Sequence, residues 1–285
     1  MDLLDELETR VLCGDGAIGT MLLEAGMPLE SCFEELCVTE PDQIETIHQQ
    51  YIAAGARVIE TNSFGANGVR LEKFGLEGRG EEINRAAAQI ACKTARGKEV
   101  YVAGSVGPLG IDGKEAHARG IDRGHCFREQ ITGLLEGGAD LIFLETFTDA
   151  EEMEIALQAR NEVEEGLAIC SFACEADGRL SSGMLLVDAF AKVRARGARM
   201  VGVNCMTGPH GMVHLLESVP EKYVFAAYPN AGRPNCQQGR LIYHTAPDDF
   251  AKLAREMVTA GARLVGGCCG TNPKHIAAIA AAIGI

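Results

Sequence analysis

Eight short apolar runs, each followed by a segment with helical spacing, predict a closed (β/α)8 TIM barrel folded as one domain over residues 1–285. Three observations carry this expectation. The runs are almost continuously apolar and rich in Val, Ile and Ala, as parallel strands covered on both faces are. They alternate with segments long enough to be helices. And "AAGARVIET", "EGGADLIFLET", "RARGARMVGVNC" and "TAGARLVGGCC" repeat one order of helix end, Gly-Ala turn and strand. The length suits eight such units, which take about 250 residues. A doubly wound open sheet is the alternative assembly of the same units.

In chain order the strand candidates are RVLCGD (10–15), RVIETN (57–62), VYVAGSVG (100–107) and DLIFLET (140–146). They continue with LAICSFAC (167–174), MVGVNC (200–205), YVFAAYPN (223–230) and RLVGGCCG (263–270). Between the first two lies PDQIETIHQQYIAAG, where Pro41 and Asp42 suit a first helical turn and Ile44, Ile47, Tyr51 and Ile52 share a face. Further helices are expected at 81–96, 124–137, 149–161, 184–196, 209–217, 247–260 and 273–283. The acidic run EEMEIALQARNEVEE (151–165) reads as a solvated helical face. No Pro/Ser-rich linker interrupts the series.

Composition removes several function classes. A formal charge of -14, from 26 basic and 40 acidic side chains, disfavours nucleic acid and anionic lipid as partners. No apolar run spans a bilayer and the start MDLLDELETR is acidic, so a cytoplasmic location is expected. The 11 cysteines then read as reduced thiols or metal ligands rather than a disulfide framework.

In a parallel barrel the chemistry gathers where strands run out into the following loops. Polar residues fall at those places: Asp15, then Glu60, Thr61, Asn62 and Ser63, then Ser105, Glu145 and Thr146, Asn204 and Cys205, Tyr228 and Asn230, and last Cys268 and Cys269. Gly266, Gly267 and Gly270 around the cysteine pair let the backbone bend so that both sulfurs converge. In a closed barrel the sixth and eighth strands flank the seventh, which brings Cys205 near the pair. Three thiolates suit zinc in a tetrahedral site with one position open; three small buried core residues is the other reading. The pairs Cys32/Cys37 and Cys170/Cys174 read as core thiols. The glycine-rich CGDGAIGT lacks the Lys-Ser/Thr ending of a phosphate loop, but its backbone N–H groups suit a small carboxylate. Asp15 and Glu145 across the mouth would attract an ammonium group, or else satisfy strand-end hydrogen bonds. No histidine has a paired ligand spacing, and none is assigned to catalysis.

Taken together and in order, GDGAIGTML, ETNSFGANGVRL, GSVGPLG, LIFLETFTD, GVNC, AYPNAGRP and GGCCGTNP resemble the homocysteine S-methyltransferase family, especially the homocysteine-binding module of cobalamin-dependent methionine synthase. The resemblance implies a (β/α)8 barrel that transfers a methyl group to homocysteine sulfur, forming methionine. It implies Zn2+ bound by Cys205, Cys268 and Cys269, and a homocysteine amino group held by Asp15 and Glu145. It further implies a carboxylate received at Gly16, Ala17 and Ile18, and Asn230 as the fourth metal ligand without substrate. Folate and cobalamin modules are not expected in a chain of this length, so the donor is expected on a separate corrinoid or folate-binding protein, with methylcobalamin as its methyl carrier. S-methylmethionine is the alternative donor, and a subunit inactive without its partner the alternative role. Betaine is disfavoured, because Phe64 and Phe147 are the aromatics near the motifs and there is no Trp to build a cage. Arg233, where relatives carry a different residue, is expected in solvent.

Overall fold

A computed structural model describes residues 3–164, 166–174, 177–219, 224–237 and 240–284. Its strands are β1 (Leu12–Cys13), β2 (Val58–Glu60), β3 (Tyr101–Val106), β4 (Leu141–Phe147), β5 (Ala168–Phe172), β6 (Met200–Asn204), β7 (Phe225–Tyr228), β8 (Asn235–Gln237), β9 (Arg240–Ile242) and β10 (Ala262–Val265). Eight of them run parallel in the order β2-β3-β4-β5-β6-β7-β10-β1. A parallel bridge from Gly14 to Val58 joins β1 to β2 and closes the ring. All eight expected strands are present, so the closed barrel is the architecture and the open sheet is not. The antiparallel hairpin β8-β9 was not expected; it lies between the last two barrel strands. Tyr223, which begins the seventh expected run, and Glu165, which ends the acidic one, lie outside the described residues.

Local chemistry explains where the helices begin. Pro41, Pro247 and Pro273 start the helices Pro41–Ala53, Pro247–Thr259 and Pro273–Ile283, where a missing N–H costs nothing. Asp122 and Asp149 cap Arg123–Glu136 and Ala150–Val163 through their carboxylates. These helices bury one face against the outside of the sheet. Inside the ring Leu12, Val58, Phe143, Ile169, Met200 and Leu264 fill the barrel. The short helix Leu3–Thr9 closes the floor with Leu3, Leu4 and Leu7, each fully buried side chain contributing about 2 kcal/mol. No described helix is long and apolar enough to cross a membrane.

Of the two thiol pairs read as core, Cys170 and Cys174 are buried with Cys37 in the main cluster, and Cys32 in a smaller one. Arg233 is exposed, as expected. His48 is buried inside its helix, and His275 caps Pro273–Ile283 with Asn272.

Candidate active site

The ends of three neighbouring strands bring the thiols together. β6 stops at Asn204, and the chain turns through Cys205 and Met206, both left-handed with φ of 58° and 48°. Side chains make that conformation cost about 1–2 kcal/mol per residue, and such strain collects where a side chain must be aimed. The Cys205 N–H donates to the Tyr228 carbonyl at 3.0 Å, Cys268 N–H to Pro229 at 2.9 Å, and Ala231 N–H to Cys269 at 2.9 Å. These bonds lace the exits of β6, β7 and β10. The sulfurs of Cys205, Cys268 and Cys269 then lie within 4.8 Å of one another, those of Cys268 and Cys269 at 3.9 Å. Thiolates at tetrahedral corners about 2.3 Å from zinc stand about 3.8 Å apart, so the cluster has the spacing of a zinc site.

The glycines serve this end for reasons the sequence reading only half anticipated. Gly270 does bend the chain, at φ of 82°. Gly267 instead gives room: a β-carbon there would come within 2.5 Å of the Thr271 side chain, whose hydroxyl donates to the Cys268 carbonyl at 2.7 Å.

Left to themselves the three thiols compete for ionisation. Hydrogen bonds from Cys268 and Cys269 bring the Cys205 thiol down to about 3. Through the same bonds Cys205 pushes Cys268 up strongly and Cys269 to about 12. A dication is what allows all three to ionise together. Asn230 stands beside them, buried, hydrogen bonded to Cys205 and with Oδ1 lacking a partner.

Across the mouth three carboxyl groups gather. Asp15, after β1, accepts from the Glu60 N–H at 2.9 Å. Glu145, in β4, accepts from the Ser105 hydroxyl and from the Asn204 amide, the latter at 3.2 Å. Asn204 itself is held by the Ser171 hydroxyl at 2.7 Å and the Thr146 N–H at 2.9 Å, so the residue preceding Cys205 ties the thiols to the acids. The Glu60 and Glu145 carboxyls hydrogen bond to each other, which requires a shared proton. Burial is the main cause of raised pKa values throughout: Asp15 and Glu60 are pushed well up, and Glu145 to about 7. Among the described residues no Lys or Arg forms an ion pair with any of the three. Glu60 Oε1 and the Tyr228 hydroxyl are also buried without partners.

Gly16, Ala17 and Ile18 follow Asp15 at the same rim. The Ala17 N–H donates to the Thr271 hydroxyl at 3.3 Å, and its carbonyl accepts from Tyr51 at 3.0 Å. The three thiols, Asn230, Asp15, Glu145 and the segment Gly16, Ala17 and Ile18 thus all lie at the end of the barrel where the strands run out. Glu60 appeared in the sequence as a strand-end residue, but its pairing with Glu145 crosses from β2 to β4 and has no sequence signature. Tyr243 was missed outright. It follows β9, and its ring lies on the backbone of Gly270, the residue after Cys269, where a β-carbon would come 2.1 Å from Tyr243 Cγ. Grooves of about 430 and 280 Å3 lie elsewhere, beside Arg123 and Arg128 on the outer helices and beside Leu3 and Leu167 at the floor.

Fold and mouth define a (β/α)8 barrel protein with three thiols that could hold a metal ion next to a cluster of buried carboxyl groups. The chain belongs to the homocysteine S-methyltransferase family, which it matches over residues 12–283. It is 36% identical to methionine synthase of Mycobacterium tuberculosis over 301 aligned positions, 99% of this chain and 25% of the relative. The corresponding figure for Mycobacterium leprae methionine synthase is 35%. The chain therefore spans about a quarter of these relatives. Among solved structures, the metallated form of the homocysteine methyltransferase MmuM from Escherichia coli superposes with a TM-score of 0.79 at 26% identity, covering 98% of both chains. The oxidized form gives 0.78 at 28% identity, covering 98% of this chain and 97% of that one.

Proposed function

We propose that this chain transfers a methyl group to the thiol of homocysteine, forming methionine, with Zn2+ held by Cys205, Cys268 and Cys269. The observation that carries this reading is the convergence of three thiols within 4.8 Å beside buried Asp15 and Glu145, which form no ion pair among the described residues. Bound zinc would hold the substrate sulfur as a thiolate at neutral pH, where an unperturbed thiol is mostly protonated.

The protein residues orient the amino acid. Asp15 and Glu145 receive the ammonium group, and the backbone at Gly16, Ala17 and Ile18 receives the carboxylate. Asn230, whose buried Oδ1 lacks a partner, would be the fourth metal ligand in the absence of substrate. The thiol proton leaves on binding, so methyl transfer needs no general base: the new S–C bond forms as the bond from methyl to its donor breaks. Because the acids come from β1 and β4 and the thiols from β6 and β10, the barrel itself fixes the distance between headgroup and sulfur.

The methyl donor on this reading is a methylcorrinoid protein supplied as a separate chain or module. Likeness to methionine synthase along 99% of this chain, at 25% of the relative's length, supports a division of labour in which other modules handle the donor. S-methylmethionine is the second reading, favoured by the match to MmuM along 98% of both chains. Betaine fits poorly: Phe147 is buried in the core, and the Phe64 ring is covered by the Arg70 guanidinium at 5.1 Å. A cytoplasmic setting goes with this reading, because thiols stay reduced there.

Metal-quantified protein assayed with homocysteine and, in parallel, methylcobalamin, S-methylmethionine, betaine and methyltetrahydrofolate tests the reading. Methionine from one donor identifies the branch. Zinc and homocysteine binding without methionine from any donor would make the chain a subunit awaiting its partner, and preference for a thiol without an amino group would overturn the headgroup assignment.

A further inference from the structure

Glu145 lies where its strand is irregular. Between Leu144, paired with Cys170, and Phe147, paired with Phe172, β4 carries one residue more than β5, a bulge at Glu145 and Thr146. Bulges at the rims of barrels re-aim side chains. This one holds Thr146 at φ of 64°, a conformation that a β-branched residue keeps only where its surroundings impose it.

The side chain of Asn204 imposes it. Asn204 ends β6 and reaches across β5 to β4. The Thr146 N–H donates to Asn204 Oδ1 at 2.9 Å, and the Asn204 amide donates to Thr146 Oγ1 at 2.6 Å, so one group grips the strained residue by backbone and side chain together. The hydroxyl of Ser171, the β5 residue opposite the bulge, donates to the same Oδ1 at 2.7 Å. A backbone N–H can only donate, which identifies the atom it meets as the oxygen and turns the amide nitrogen towards Glu145 Oε2, 3.2 Å away. Two bonds accepted and two donated fill the capacity of this buried amide and fix its orientation. The Cys205 turn has its own anchor, the N–H bond to the Tyr228 carbonyl at 3.0 Å.

We propose that Asn204 is a positioning residue for substrate selection: by locking the bulge in β4 it aims the Glu145 carboxylate at the substrate ammonium group, and so sets the preference for an amino-acid thiol over the same thiol without its amino group. This inference rests on the preceding reading of Glu145 as part of the headgroup site. Hydrogen bonds weaken with misalignment, so a carboxylate freed to swing holds an ammonium group less well while the place of the substrate sulfur is unchanged.

Calorimetry on zinc-loaded protein tests this by comparing homocysteine with 4-mercaptobutyrate, which keeps the thiol and carboxylate and lacks the amino group. Asn204→Ala should weaken homocysteine binding about tenfold and leave 4-mercaptobutyrate affinity and zinc content unchanged. Combined with Glu145→Gln it should cost no more than about twofold beyond Glu145→Gln alone, as for two residues acting through one contact. Thr146→Gly is the second variant, since glycine accepts φ of 64° and the fold should stand even where Asn204→Ala fails to fold. It should weaken homocysteine about threefold, again with no effect on 4-mercaptobutyrate. Unchanged homocysteine affinity, equal losses for the two thiols, or additive losses with Glu145→Gln overturn the role of Asn204 and leave the headgroup reading standing. Wild-type protein that binds both thiols equally overturns the headgroup reading and this inference together.

Discussion

The floor and the mouth of this barrel both bury carboxylates, but they treat them in opposite ways. At the floor Glu6 is 6% exposed and fully answered: Arg10 and Arg57 reach it at 3.1 and 3.5 Å, and the Tyr101 hydroxyl donates to it at 3.0 Å. At the mouth Asp15, Glu60 and Glu145 crowd together with hydrogen bonds but no ion pair among the described residues. Burying charge without a partner is costly, so the mouth gives up stability that the floor keeps. A site left short of positive charge on one side and able to take up a dication on the other is complete only with its ligands. The difference teaches where to look for function: at the end of the barrel whose polar groups are not satisfied by the chain itself.

The largest effect should come from breaking the mouth alone. Cys205→Gly should abolish stoichiometric zinc and lower methyl transfer by about a thousandfold or more. Because glycine accepts the left-handed backbone, the metal-free protein should unfold no more easily than wild type, and by calorimetry should gain about 1 kcal/mol. Zinc retained at one per chain would remove Cys205 from the ligand set. Next, Glu145→Gln should raise KM for homocysteine about tenfold to a hundredfold while leaving zinc content unchanged, the loss expected for a charge-assisted hydrogen bond. An unchanged KM takes Glu145 out of the headgroup role.

Stability should sharpen the contrast. Glu6→Gln should cost about 1–3 kcal/mol in denaturant unfolding, since a buried carboxylate loses its charge-assisted bonds and Arg57 keeps only the exposed Glu99 as an ion partner. Glu145→Gln in ligand-free protein should cost nothing at pH 7, because it removes repulsion rather than attraction; destabilisation by both would erase the distinction between the two ends. The pH dependence follows from the same charges. Glu145 is raised from 4.5 to about 7 in the folded chain, so the fold favours its protonated form. The stability it contributes is full below about pH 4.5 and is lost as pH rises through about 7. Thermal scans of ligand-free protein should show that decline, with a shallower slope in Glu145→Gln. Homocysteine affinity should move the other way, strengthening as the carboxyl ionises. Smallest of all, Arg10→Ala removes a half-exposed partner of Glu6 one helical turn away and should change stability by less than about 0.5 kcal/mol.

Much of this was written in the sequence. Near-continuous apolar runs such as DLIFLET and MVGVNC are what strands buried on both faces require, and period and caps placed Pro41–Ala53 and Pro273–Ile283 almost to the residue. The short helices at Gly68–Leu71 and Gly113–Ala118 went unread, because a single turn of helix has too few residues to show a period. The hairpin β8-β9 went unread for the same reason, and with it Tyr243, which is distant in sequence from the glycine its ring lies on.

Sequence alone determined the alternation of strand and helix, and it determined which polar residues stand at strand ends, since both are properties of neighbours along the chain. Glycine and cysteine types at GGCCG limited the chemistry to that of soft ligands on a tight turn. Tertiary structure decided the rest: that β6 and β10 flank β7 so that Cys205 meets Cys268 and Cys269, that Glu60 reaches across to Glu145, and that Tyr243 seats on Gly270. It also decided that, among the described residues, the mouth acids find no arginine while Glu6 finds two. Those outcomes depend on ring closure, which sets distances between residues far apart in sequence, and no local pattern of side chains records them.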